Sequence, residues 1–163
     1  MKKIEGFAYI MGNDINTDDI VPSHALTLRD ASEMAQCACE TIDPKFSEKT
    51  DKLNIIIAGE NFGCGSSREE AVNVLKILGI KTILAKSFAR IYFRNLINKG
   101  IPGITLNWNK DDFSEGDHLE INLDKGILNN LTKNETMKFE RLPEFLLDIV
   151  KQGGVINKLK NNI

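Results

Sequence analysis

The segment from Leu53 to Gly100 leaves a chain few choices of fold. Leu53 to Ala58 (LNIIIA) is an almost uninterrupted β-branched run, the pattern of a strand buried on both faces. Gly59 to Gly65 (GENFGCG) follows as a glycine-rich loop. A helix then runs to about Leu78, with Ala71, Val72, Leu75 and Leu78 on one face and Gly79 closing it. Ser66 or Ser67 is its expected N-cap. Thr82 to Ala85 gives a second short strand, and Phe88 to Lys99 a second helix ending at Gly100. Strand, helix, strand, helix in that order implies a parallel βαβ unit.

The flanks extend this unit on both sides. Gly6 to Met11 reads as a strand and Asn13 to Asp19 (NDINTDD) as a polar loop rich in capping residues, ended by Pro22. Asp30 to Thr41 reads as a helix, with Asp30 and Glu33 placed for a capping box. In the last third, GDHLEINLDKGIL reads as a β-hairpin around Asp124-Lys125-Gly126, and Thr136 to Phe139 as another strand. Pro143 starts a helix that runs to Gln152 and stops at Gly153-Gly154. No repeat or linker interrupts residues 1–163, so a single α/β domain with an antiparallel addition is expected.

Composition excludes several classes of partner. Residues of hydrophobic type make up 42% of the 163, enough for one packed core. With 21 basic and 23 acidic residues the net charge is -2, and no basic stripe is present. Neither nucleic acid nor an anionic membrane is therefore an expected partner. The opening MKKIEGFAYIMGND has only about five apolar residues before Gly12, too few for a signal or a membrane span, so a cytoplasmic location is expected. The basic NKLKNNI reads as a solvated helix end. Three cysteines, Cys37, Cys39 and Cys64, argue against a disulfide framework, and C-x-C is not a common cluster spacing, so no metal is expected on this chain.

Chemistry concentrates in GENFGCGSSRE, Gly59 to Glu69. Glycines let backbone approach a ligand closely, a helix start attracts anions, and Arg68 brings a bidentate fork suited to carboxylate or phosphate. A P-loop would need lysine where Gly65 stands. A dinucleotide fingerprint would need glycine at Arg68, and no G-x-S-x-G elbow is present. Two readings remain at this level: a serine-capped helix after a tight turn, or a carboxylate-binding site.

GENFGCGSSRE, AKSFARIYFRNLINKG (Ala85 to Gly100) and NTDDIVP (Asn16 to Pro22) together closely resemble the aconitase-type C-terminal domain. Their order and spacing match the stand-alone small subunits of isopropylmalate dehydratase and homoaconitase, over essentially the whole chain. The resemblance implies a swivelling β/β/α domain. It implies a hydro-lyase that isomerises or hydrates a 2-hydroxy dicarboxylic acid, with 3-isopropylmalate and leucine biosynthesis as the first choice. A larger subunit is the implied partner, in a heterodimer or higher assembly, and its three cysteines would hold the 4Fe–4S cluster. By the same resemblance Ser66 is the catalytic base, and Ser67, Arg68, Thr17 and Asp18 contact substrate. Lys86, Ser87 and Arg90, in the KSFAR stretch, would buttress the serine loop. Cys64 reads as a small loop residue.

Ser23 to Arg29 (SHALTLR) departs most from the relatives, which commonly carry an aromatic–leucine pair there. This loop would meet the variable substituent of the substrate, which makes His24, Ala25, Leu26, Thr27 and Leu28 the specificity residues. Leu26 and Leu28 favour an alkyl group, whereas Arg29 as a substrate ligand favours a carboxylate. Homoaconitate, citramalate-type and dimethylmalate-type substrates are the alternatives within the same class. From another class, a carboxylate-binding regulatory module would need Arg68 but not Ser66.

Overall fold

The computed structural model describes residues 3–162; Met1 and Lys2 of the lysine-bearing opening, and Ile163 of the basic end, lie outside them. Four strands run parallel: β1 (Ile4–Ile10), β2 (Ile55–Ala58), β3 (Thr82–Ala85) and β4 (Gly103–Thr105). Three more, β5 (His118–Asn122), β6 (Ile127–Asn130) and β7 (Glu135–Lys138), continue the sheet antiparallel, in the order β4-β3-β2-β1-β5-β6-β7. β1 belongs to both halves. Its residues Ile4 to Phe7 pair with β5, and Ala8 to Ile10 pair with β2. At the changeover the Phe7 N–H donates to Asn54 Oδ1 (3.2 Å) and the Ala8 N–H to the Asp117 carbonyl (2.9 Å), so the backbone donors stay satisfied.

The β-branched runs of β2 and β3 are buried on both faces because each face meets its own core. The helices are α1 (Thr17–Ile20), α2 (Ala31–Gln36), α3 (Phe46–Lys49), α4 (Glu70–Ile77), α5 (Arg90–Asn98), α6 (Glu144–Lys151) and α7 (Val155–Asn161), with a 3-10 turn at Ser23–Thr27. Ile56, Ala58, Ile83 and Ala85 share one core with Val72 and Leu75 of α4, Ala35 of α2 and Phe46 of α3. Ile55, Ile57 and Leu84 alternate to the other, with Leu119, Ile121 and Leu128 of the hairpin and Leu147 of α6. α5 serves both, sending Tyr92 and Leu96 into the first core and Ile97 into the second.

Several sequence expectations change. α2 stops at Gln36 rather than reaching Thr41, because Cys39 takes φ 55° and sends its N–H to the Ile20 carbonyl at 3.0 Å. Asp30 caps α2 by accepting from the Ser32 N–H at 2.8 Å, without a reciprocal bond from Glu33. Pro143 sits at the cap of α6 instead of inside its first turn. α4 begins only at Glu70, so neither Ser66 nor Ser67 caps it.

The turn after α2 carries a testable pH dependence. Asp43 accepts from Lys49 Nζ (2.7 Å), the Lys45 N–H (3.0 Å) and the Tyr9 hydroxyl (2.8 Å). The Lys49 contact is the main reason its carboxyl is held down to about 2, against an ordinary 3.8. A depressed folded-state value contributes stability that is complete above 3.8 and is lost as pH falls through about 2. Asp43→Asn should therefore lower the melting temperature at pH 7, and the difference from the parent should vanish near about pH 2. Melting curves across that range check it, and a pH-independent difference would assign the effect to packing.

Candidate active site

Ligand sites in open α/β sheets gather outside the carboxyl ends of the strands. Here the segments that follow β1, β2 and β3 meet at that edge. The first two are zipped together. The Gly63 N–H donates to the Ile15 carbonyl and the Thr17 N–H to the Cys64 carbonyl, both at 2.8 Å. Asn16 starts α1 with a full capping box: its Oδ1 accepts the Asp18 N–H (2.8 Å) and its N–H donates to Asp19 Oδ2 (3.0 Å). Thr17, buried, then donates its hydroxyl to the Ser66 carbonyl at 2.7 Å.

The third segment supports the loop from the other side, as the KSFAR reading anticipated. The Phe62 N–H donates to the Ser87 carbonyl (3.0 Å), the Ala89 N–H to the Phe62 carbonyl (2.9 Å), and the Asn61 N–H to Ser87 Oγ (2.8 Å). Two glycines make the close fit possible. Gly63 has φ +83°, and a Cβ there would stand 2.2 Å from the Tyr92 ring. Gly65 has φ +92°, and a Cβ there would stand 2.5 Å from Asn16 Oδ1.

This arrangement explains why the serines do not cap α4. With its carbonyl drawn to Thr17, Ser66 lies on a stretch that runs along α1 before the chain turns into the helix. Glu69 occupies the cap position with helical backbone angles and no side-chain cap bond. Its charge at the helix start is offset by Lys99, 2.7 Å away. Ser66 and Ser67 are both exposed, and Ser66 Oγ bonds to no described group.

Arg68 is anchored by one nitrogen. Its Nη1 pairs with Asp18 Oδ1 at 2.9 Å and approaches the Val21 carbonyl at 3.4 Å, which leaves the Nε and Nη2 donors free among the described residues. A cleft of about 220 Å³ opens here, lined by Ser66, Ser67, Arg68, Arg90, Tyr92 and Asn95 among others. A larger apolar groove of about 760 Å³ between α5 and α6 contains neither serine.

The expected site residues thus divide by position. Ser66, Ser67, Arg68 and Thr17 come together, and Asp18 joins them through Arg68. Thr17 holds the Ser66 carbonyl and Asp18 pairs with Arg68. In the loop expected to set specificity, Ala25 is fully buried, and Leu26 and Leu28 lean on the first core. Thr27 is exposed and donates its hydroxyl to the His24 carbonyl (2.8 Å), while His24 contacts Glu40. Arg29 is exposed and makes no ion pair among the described residues. Asn16 is the neighbour that sequence reasoning passed over, and an Asn three residues before an Asp is the signal that marks it as a cap; Arg90, expected to buttress the loop, lines the cleft itself.

Cys64 is half-buried, and burial, reinforced by Asp14, pushes its thiol up, so it is no low-pKa nucleophile. Cys39 is fully buried, and burial pushes its thiol up further. The three thiols share no ligand set among the described residues.

Comparison with known proteins agrees with this geometry. The aconitase C-terminal domain profile matches residues 7–109. The chain is 44% identical to the 3-isopropylmalate dehydratase small subunit 1 of Thermotoga maritima, covering 98% of this chain and 96% of that one. It is 42% identical to the isopropylmalate/citramalate isomerase small subunit of Methanocaldococcus jannaschii, covering 98% and 95%. A crystal structure of a 3-isopropylmalate dehydratase from M. jannaschii superimposes with a TM-score of 0.90 at 43% identity, covering 98% of this chain and 95% of that one. With matches of this extent in sequence and in structure, the chain belongs to the aconitase C-terminal domain family.

Proposed function

We propose that this chain is the small subunit of a two-subunit hydro-lyase of the 3-isopropylmalate dehydratase type, working in the cytoplasm. The observation that carries the reading is the joint anchoring of Ser66 and Arg68 by the NTDD segment, through Thr17 and Asp18. The substrate is a dicarboxylic 2-hydroxy acid. The free Nε and Nη2 donors of Arg68 suit one carboxylate, with Ser67 beside them. Ser66, as its alkoxide, takes the carbon-bound proton. A serine hydroxyl is a weak base, so its anion needs support. Arg68, which lines the same cleft, supplies that support, its charge being shared with Asp18.

The larger subunit holds the 4Fe–4S cluster, which supplies Lewis-acid chemistry at the substrate hydroxyl. The purified small chain is then inactive and colourless, and mixing with cluster-loaded large subunit restores hydration and dehydration. A brown, active preparation of this chain alone would end the reading.

The relative named for both isopropylmalate and citramalate keeps a second dicarboxylate, with a smaller alkyl group, in view, and a tricarboxylic substrate is a separate alternative. Arg29, exposed and without an ion pair, is the residue to test. Arg29→Ala should weaken kcat/KM selectively for substrates bearing a third carboxylate, by about 1–3 kcal/mol in discrimination, and leave alkyl substrates alone. Equal losses on all substrates would remove Arg29 from the substrate site. Leu26 and Leu28 lean on the core, so their truncation should lower stability as well as the preference for alkyl substituents.

A further inference from the structure

Beside the specificity loop, three side chains of metal-ligating type converge. His24 comes from the Ser23–Thr27 turn, and Cys37 and Glu40 come from the turn that ends α2. One ligand atom of each lies within 4.8 Å of the others, and His24 Nε2 contacts Glu40 Oε1. The backbone fixes this meeting. Cys39, between the two later ligands, takes φ 55° and bonds through its N–H to the Ile20 carbonyl, just ahead of the His24 turn. The Cys37 thiol makes only a long contact to the Glu33 carbonyl, at 3.7 Å, which does not commit it elsewhere.

We propose that His24, Cys37 and Glu40 form a site for one zinc ion. Thiolate, imidazole and carboxylate together select a borderline-soft transition metal over magnesium or calcium, which prefer all-oxygen shells. Tetrahedral zinc with ligand bonds of about 2.0–2.3 Å needs ligand atoms roughly 3.3–3.7 Å apart. Atoms already within 4.8 Å reach that spacing by small rotations. The His24 side chain, 63% exposed, has room for them. Water takes the fourth position. On binding, the Cys37 thiol proton passes to solvent and the sulfur bonds to the metal. The ion then staples the Ser23–Thr27 turn to the end of α2, at the base of the loop that departs most from relatives.

The test uses the untagged full chain and cobalt(II) as a spectroscopic probe. One equivalent should give a sulfur-to-cobalt charge-transfer band, which zinc displaces. Cys37→Ser should abolish the band and Cys64→Ser should leave it. His24→Gln and Glu40→Gln should weaken binding by tenfold or more (about 1.4 kcal/mol). Circular dichroism checks that these surface variants fold. Zinc should also slow amide exchange across Ser23–Thr27 in the parent and not in Cys37→Ser. Absence of the band in the parent overturns the proposal, as does a band that survives Cys37→Ser.

Discussion

Ser66→Ala should lower kcat of the reconstituted enzyme by about 10²–10⁴ while leaving substrate affinity near normal. The substitution removes the one atom proposed to accept the carbon-bound proton. It leaves the Ser66 carbonyl, and therefore the Thr17 anchor, in place. Arg68 keeps its contact with Asp18, so the carboxylate site survives. Ser67→Ala should cost less, because it deletes a contact and not the base. Arg68→Lys should weaken both affinity and turnover, since an ammonium cannot hold Asp18 and a carboxylate in one planar fork. Steady-state kinetics with a direct measurement of substrate affinity separates these outcomes. Near-normal turnover in Ser66→Ala, or a larger loss in Ser67→Ala, would give the base to another group.

Gly63→Ala should be the most destabilising single-methyl change in the serine loop. The residue has φ +83°, which costs a side-chain-bearing residue about 1–2 kcal/mol. Its Cβ would also stand 2.2 Å from the Tyr92 ring. That ring cannot retreat easily: it is buried, its hydroxyl donates to the Ala71 carbonyl at 2.8 Å, and it packs edge-on against Phe62. Overpacking of this kind adds about 1–3 kcal/mol, for a total of roughly 2–5 kcal/mol. Gly79 is the matched control, because it has φ +84° with nothing within 4 Å of its Cβ position. Gly79→Ala should therefore show the backbone strain alone. Urea denaturation of both variants isolates the contact. Equal losses would mean that Tyr92 does not confine the loop.

The central βαβ unit was legible because LNIIIA and Thr82–Ala85 are runs that only a sheet covered on both faces can bury, and α4 between them carries one apolar stripe. Motif order and spacing were likewise enough to group Ser66, Ser67 and Arg68. What the sequence did not disclose depends on contacts between distant segments. Ser66 looked like a helix cap because Ser is a good one, yet a hydroxyl from Thr17 pulls it away from α4. Thr17 and Asp18 were expected to contact substrate, and the sequence did not disclose that Thr17 also holds the Ser66 carbonyl and Asp18 pairs with Arg68. The three residues of β4 and the four each of α1 and α3 are too short for any periodicity to register. His24, Cys37 and Glu40 have no common spacing pattern, so only the turn at Cys39 reveals that they meet.

The split pairing of β1 has a consequence for how the chain is made. Ile4 pairs with Ile121 and Gly6 with Leu119, so half of β1 waits for a segment more than a hundred residues later in the chain. The parallel pairs β2–β3 and β3–β4 close over far shorter stretches of chain. Loop-closure entropy favours those contacts first, with the amino-terminal half of β1 joining only after the hairpin has emerged. During synthesis that half-strand is an open edge. Its exposed Phe7, which ends up stacked on His118, is then free to meet other chains. Expression yield should thus depend on the speed of the last steps of folding more than on the stability of the finished sheet.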